Sequence, residues 1–160
     1  VDIAAVLGCH SIHCNSGHGR AGDEEAIKRC ADSFARLVEY AKAKKINVII
    51  ENHGGLSSHP DSLIKVMKMV NSPYFGTLPD FGNFPKEVDK YDAVRRMMPY
   101  AKAVSAKCYD FNEKGNETTI DFRKMMKIVT DAGYHGYVGI EYAGRRLSEA
   151  EGIIAAKKLL

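Results

Sequence analysis

The sequence predicts an α/β fold in which parallel strands alternate with helices, and three features of its 160 residues support this. Short apolar segments alternate with amphipathic ones, the apolar segments are rich in β-branched residues, and no low-complexity stretch interrupts the order. Strict alternation favours a parallel sheet with crossover helices. An open doubly wound sheet and part of an eight-unit barrel both satisfy it, and both place functional residues at the carboxyl ends of strands.

Five strand–helix units follow one another along the chain. The predicted strands are 7–15, 46–53, 73–83, 102–111 and 137–144, and the predicted helices are 21–45, 59–70, 90–101, 119–133 and 147–160. The first helix has apolar residues at helical spacing and acidic residues in its first turn. Pro60 suits the first turn of the second helix, and Pro99 ends or kinks the third. Gly133 is expected to cap the fourth helix, and Ser148 with Glu151 forms a capping box for the fifth.

Composition and charge favour one globular domain, residues 1–160, that binds neither membrane nor nucleic acid. Hydrophobic residues make up 45% of the chain, which is enough for a real core. No apolar run approaches the ~20 residues of a membrane span. The net charge of +3 comes from lysines scattered along the helices, whereas a nucleic-acid surface clusters them with aromatic residues. The four cysteines form no C-x-x-C pair, so a reducing, cytoplasmic location is expected.

Polar residues gather at the predicted carboxyl ends of the strands. They are His13 and Asn15 on the first strand, Glu51 and His53 on the second, Asp80 and Asn83 on the third, Lys107 on the fourth and Glu141 on the fifth. Carboxylates that converge on one edge of a sheet repel each other unless a positive charge lies among them. A divalent cation among Glu51, Asp80 and Glu141 is therefore the economical interpretation.

Each of these residues also has an ordinary structural interpretation. A single glutamate at a strand end can cap a helix or pair with an arginine. His13 and His53 fit a ligand or substrate contact as well as a polar residue satisfied by its neighbours. Lys107 can orient a substrate or only balance charge.

Four segments carry a resemblance to a known family. The segments VIIENHGG, SPYFGTLPDFGNFP, PYAKAVSAKCYDF and AGYHGYVGIEYAG resemble, in order and spacing, the sugar phosphate isomerase/epimerase family with a xylose-isomerase-like TIM barrel. The resemblance implies a metal-dependent barrel that acts on sugars or polyols. It also implies that Glu51, Asp80 and Glu141 bind the metal. We expect substrate contacts from the other residues at the same strand ends, which are His13, Asn15, His53, Asn83 and Lys107.

The sequence departs from the family pattern at four positions. Ser105 stands where many relatives have a metal-binding histidine, so the fourth metal ligand is open. Asn83 replaces a substrate-contacting histidine of some epimerases, and His13 replaces an arginine. Ala143 follows the last acidic residue where a second acid is common. These changes leave the substrate undetermined.

The chain is also shorter than such a barrel, which needs eight units and about 250 residues. The resemblance places the five units as strands three to seven, so we expect a partial barrel from a longer protein. Its two open sheet edges would favour association with other copies, and a homo-oligomer is possible on that ground.

The expected chemistry is proton transfer next to a carbonyl group. Isomerisation and epimerisation both remove a weakly acidic C–H proton, and a bound cation lowers the cost by stabilising the enediolate. Glu51 and Glu141, on different strands across the site, form the expected acid–base pair. Oxygen ligands favour Mg²⁺ or Mn²⁺ over Zn²⁺, although His13 or His53 could change this preference.

Two other classes of function are alternatives to this hypothesis. A non-catalytic barrel fragment that serves as a scaffold would need none of these groups. The related endonucleases for abasic DNA bind three zinc ions through several histidines, and this chain has neither those histidines nor a basic groove.

Overall fold

The computed structural model describes residues 1–160 and confirms the alternation of parallel strands and helices. The strands are β1 (Ser11–His13), β2 (Asn47–Glu51), β3 (Phe75–Leu78), β4 (Val104–Cys108) and β5 (Val138–Tyr142). The helices are α1 (Asp2–Val6), α2 (Glu24–Lys42), α3 (Pro60–Val70), α4 (Lys90–Met97), α5 (Phe122–Asp131) and α6 (Glu149–Leu159). Short 3₁₀ turns follow β2 (Gly55–Ser58) and α4 (Met98–Tyr100). None of the helices is both long and apolar enough to cross a membrane.

The first strand is shorter than the sequence predicts. The apolar run suggested a strand over 7–15, but β1 covers only Ser11–His13. The first residues of that segment form the carboxyl-terminal end of helix α1, a helix that was not predicted from the sequence. Gly8 has a φ of +69°, and the N–H of Cys9 donates to the carbonyl oxygen of Ala4 at 2.8 Å. Because these backbone groups complete a helix end, they are not available to a strand.

The strands follow one another in sequence order, and all are parallel. Ile12 is paired with Val48 across β1 and β2, and Ile49 with Gly76 across β2 and β3. β4 pairs with β5. A parallel bridge between Asp80 and Ser105 joins the end of β3 to β4. The hydrogen-bonded ladders form a three-stranded sheet, β1–β2–β3, and a two-stranded sheet, β4–β5, which isolated bridges join. The order does not reverse, so the doubly wound alternative is excluded and the strands form an incomplete barrel that does not close.

Helices cover the outer face of the sheet and leave the polar strand ends free. The predicted apolar stripe of α2 is buried, and the Phe34 ring packs on Phe75 with centroids 4.8 Å apart. Val48 and Ile50 are fully buried in this cluster, whereas Glu51 follows them on the opposite face. Burial of each such apolar side chain contributes about 1.5–3 kcal/mol.

The predicted helix ends are confirmed. α4 stops before Pro99, and a 3₁₀ turn containing this proline follows it. Gly133 has a φ of +72° just beyond α5, where a left-handed residue ends the helix. Ser148 and Glu151 form the reciprocal hydrogen bonds of a capping box at the start of α6. The first two of these ends precede β4 and β5 at the amino edge of the sheet, whereas the capping box closes the loop that follows β5 at the carboxyl edge.

We expect the substitution Gly76→Ala to destabilise the fold. A Cβ at this position of β3 would lie 2.6 Å from the carbonyl oxygen of Tyr100, a backbone atom that cannot move alone. The free energy of unfolding should fall by about 1–3 kcal/mol, measured by urea denaturation. Gly139→Ala in β5 is the matched control, since its nearest neighbour is the carbonyl oxygen of Val104 at 3.7 Å. Equal stability of the two variants would contradict the close approach at Gly76.

Candidate metal centre

Three carboxylates meet at the carboxyl edge of the sheet. Glu51 is the last residue of β2, Asp80 follows β3, and Glu141 lies near the end of β5. One oxygen atom from each carboxylate lies within 4.8 Å of the other two. This spacing suits a single ion with ligands at about 2.0–2.6 Å. The structure thus brings the three predicted ligands together, and their binding of a metal stays a prediction.

Asp80 is the most deeply buried of the three. Its Oδ1 accepts the backbone N–H groups of Gly82 and Asn83, both at 2.9 Å. Its Oδ2 is buried and accepts no hydrogen bond of acceptable geometry, although the Ser105 hydroxyl lies near enough to this carboxyl to lower its pKa. Burial raises the pKa of Asp80 to about 6. A buried oxygen without a donor is costly, and a cation is a partner that would offset this cost. The residues present therefore fit a metal ion.

A buried amide directly after β2 holds the backbone of Asp80. The N–H of Asp80 donates to Oδ1 of Asn52 at 2.7 Å, and Nδ2 of Asn52 donates to the carbonyl oxygen of Asp80 at 3.1 Å. Asn52 is fully buried. No role was predicted for this residue from the sequence. The sequence feature that could have identified it is an amide directly after a buried strand. Such a group needs both a hydrogen-bond donor and a hydrogen-bond acceptor.

Glu51 is surrounded by three of the predicted polar residues. Nδ2 of Asn83 donates to Oε1 of Glu51 at 2.8 Å. Nε2 of His13 lies 3.6 Å and Nδ1 of His53 lies 3.5 Å from Oε2 of the same carboxylate. Both imidazoles are partly exposed, with 37% and 58% of the side-chain surface accessible. His13, His53 and Asn83 therefore lie at the rim of the carboxylate cluster, where a ligand could reach them.

Glu141 is paired with Lys107 of the neighbouring strand. The Nζ atom of Lys107 donates to Oε1 of Glu141 at 2.6 Å, and the two residues are directly opposite in the register of β4 and β5. Burial favours a lower pKa for Lys107, but the hydrogen bond to Glu141 and the charges of Asp80 and Glu141 together outweigh it, and the pKa is raised. The Oγ of Ser105 donates to Oε2 of Glu141 at 3.4 Å. Ser105 thus reaches the cluster as a hydroxyl.

Asn15 is not brought into this cluster. It is exposed and lines a cleft of about 310 Å³ between the loop that follows β1 and helix α2. Arg29 and Cys30 of α2 line the other side of the same cleft. A contact between Asn15 and a substrate at the carboxylates stays a prediction that this geometry does not support directly.

The fold and the site together define an α/β barrel with a carboxylate cluster at the carboxyl edge of its strands. The sequence profile of the xylose isomerase-like TIM barrel family matches residues 1–160. The chain belongs to this family.

Solved structures show the same fold. A 3-keto-D-glucoside 4-epimerase from E. coli, in its apo form, superposes with a TM-score of 0.78 at 16% identity, over 98% of this chain and 65% of that one. A xylose isomerase-like TIM barrel protein from Mycobacterium smegmatis, in complex with magnesium, gives 0.71 at 16% identity, over 99% and 65%. At these identities the likeness concerns the fold alone. The chain spans about two thirds of the length of both proteins.

A curated relative matches a shorter segment. The C-glycoside deglycosidase alpha subunit of Arthrobacter globiformis is 35% identical over 65 residues. The match covers 39% of this chain and 18% of that subunit. So short a segment indicates common ancestry and carries no assignment of activity.

We expect Asn52→Ala to weaken both the fold and the metal centre. The substitution leaves the N–H and carbonyl groups of Asp80 without their partners in a buried position. Unfolding free energy, measured by urea denaturation, should fall by about 2–3 kcal/mol. The exposed Asn116, whose side chain makes no hydrogen bond, offers the control Asn116→Ala. A loss no larger than in the control would show that Asn52 does not hold Asp80.

Proposed function

We propose that this chain carries the metal-binding and acid–base groups of an isomerase or epimerase. Its substrate would be a sugar, a sugar phosphate or a polyol. The observation that carries the proposal is the convergence of Glu51, Asp80 and Glu141, with a buried and unpartnered oxygen on Asp80. Membership of the xylose isomerase-like family supports it. The epimerase from E. coli, whose name states a keto sugar as its substrate, supports the carbohydrate class.

The donor set favours a hard divalent cation. All three carboxylates offer oxygen, and oxygen ligands suit Mg²⁺ or Mn²⁺ better than Zn²⁺. The magnesium complex of the related protein from Mycobacterium smegmatis supports this preference. When bound, such an ion would polarise the substrate carbonyl and stabilise the oxygens of an enediolate.

The acid–base work falls to the two glutamates. Glu51 and Glu141 come from β2 and β5 and approach the cluster from separate strands. One carboxylate takes the proton from the carbon next to the carbonyl, and the electron pair moves to the carbonyl oxygen to give the enediolate. The other, which enters the step as a protonated carboxyl group, gives its proton to the second carbon or to the opposite face. Asp80, accepting two backbone N–H groups, is oriented for ligation only.

The rim residues would orient the sugar. His13, His53 and Asn83 present imidazole and amide groups beside Glu51, and sugar hydroxyls can both donate to and accept from such groups. Lys107 is buried against Glu141 and reaches the same edge. A small-molecule carbohydrate partner fits a polar rim of this kind.

The metal centre is tested by binding of Mn²⁺ to single variants. Glu51→Gln, Asp80→Asn and Glu141→Gln each remove one charge and one strong ligand, so each should weaken Mn²⁺ binding at least about tenfold. The measurement is titration followed by electron paramagnetic resonance of free Mn²⁺. The control is Glu39→Gln on α2, whose exposed carboxylate pairs only with Lys42. Weakening of similar size in the control, or binding that all three variants retain, would argue against a shared site.

The reaction class is tested by hydrogen exchange with solvent. The protein is loaded with Mn²⁺ and incubated in D₂O with the keto sugars D-fructose, L-ribulose and methyl 3-keto-D-glucoside. Proton transfer through the two glutamates should place deuterium on the carbon next to the carbonyl of at least one sugar, which proton NMR detects as a lost signal. Glu51→Gln and Glu141→Gln should abolish the exchange.

Two results would count against this reaction class. Conversion of a sugar without uptake of deuterium would favour a hydride shift. Tight Mn²⁺ binding without exchange or conversion of any sugar would favour a non-catalytic barrel piece.

A further inference from the structure

The ion pair between Lys107 and Glu141 occupies the same small region as the three carboxylates. Nζ of Lys107 lies 2.6 Å from Oε1 of Glu141, and only 11% of the lysine side chain is exposed. One oxygen of Glu141 lies within 4.8 Å of the oxygens of Glu51 and Asp80. A positive charge therefore lies beside one of the three carboxylates among which a divalent cation would bind.

The position of this ammonium group is fixed by its surroundings. A Cβ on Gly82 would lie 3.1 Å from Cδ of Lys107 and 2.7 Å from the hydroxyl of Tyr109, so the lysine stem passes closely over this glycine. The Tyr109 hydroxyl donates to the carbonyl oxygen of Gly82 at 3.2 Å. Gly82 follows Asp80 in the chain and donates its N–H to that carboxylate. The loop that holds Asp80 thus also confines Lys107.

We propose that Lys107 is a built-in competitor of the divalent cation and sets the affinity of the carboxylate site for it. The proposal rests on the proposed metal site. It has two physical parts, which are repulsion between the ammonium group and the incoming cation, and engagement of one oxygen of Glu141 in the ion pair. Both parts lower the affinity, since like charges at such distances in a partly buried site are weakly screened.

This role differs from a purely structural one in the sign of its effect. A lysine that only supports the fold would, on removal, loosen the ligands and weaken metal binding. A lysine that competes would, on removal, free Glu141 and strengthen metal binding. Because nothing but Glu141 accepts a hydrogen bond from Lys107, its removal leaves no other acceptor unpaired.

The test is the Mn²⁺ affinity of Lys107→Met and Lys107→Arg at neutral pH, followed by electron paramagnetic resonance. Removal of the charge should tighten binding at least about tenfold, whereas arginine, which keeps the charge, should change it less than about threefold. The control is Lys68→Met at the end of α3. Lys68 is exposed, makes no ion pair and adjoins the loop that enters the amino end of β3, so the same loss of charge there should change the affinity less than about twofold.

The outcomes separate this inference from the metal site itself. Wild-type binding with unchanged or weaker binding in Lys107→Met would overturn the inference and leave the metal site intact. If neither the wild type nor Lys107→Met binds Mn²⁺ at millimolar concentration, the inference and the metal site are both overturned. Binding gained only on substitution would support the inference. Circular dichroism establishes that each variant is folded, and if Lys107→Met is not, Lys107→Gln decides the question by the same comparison.

Discussion

Repulsion among three carboxylates at one edge of the sheet is the constraint on which the rest of the site depends. Parallel strands bring their carboxyl ends together, so the carboxylates of Glu51, Asp80 and Glu141 lie close to one another. Asn83 donates to Glu51, two backbone N–H groups donate to Asp80, and Lys107 donates to Glu141. One buried oxygen, Oδ2 of Asp80, has no such partner, and a cation bound there would offset the cost of burying it.

Contacts between neighbouring strands hold the backbone around these carboxylates. The end of β3 bends towards β4, where Asp80 is bridged to Ser105, and the buried amide of Asn52 attaches the same segment to β2. Three neighbouring strands are therefore tied together at the level of the carboxylates. The buried end of the site is thus held by hydrogen bonds between strands, whereas the partly exposed imidazoles of His13 and His53 lie at its rim.

Much of the fold and the acidic cluster could be predicted from the sequence. The alternation of strands and helices placed Glu51, Asp80 and Glu141 at the carboxyl ends of parallel strands, and therefore at one edge. The cross-strand role of Asn52 was missed, because it depends on which backbone groups lie opposite in the folded register. The assignment of Asn15 to the site stays a prediction, and the structure places this residue at a cleft between the loop after β1 and helix α2. The course of the loop after β1 has no periodicity that could have indicated this.

The central claim is that one divalent cation binds among the three carboxylates. The most direct measurement is an anomalous difference map from crystals of this protein grown with Mn²⁺. The account predicts one peak at about 2.0–2.6 Å from an oxygen of each of Glu51, Asp80 and Glu141. A peak elsewhere on the molecule, or an ordered site without a peak at millimolar Mn²⁺, would contradict it.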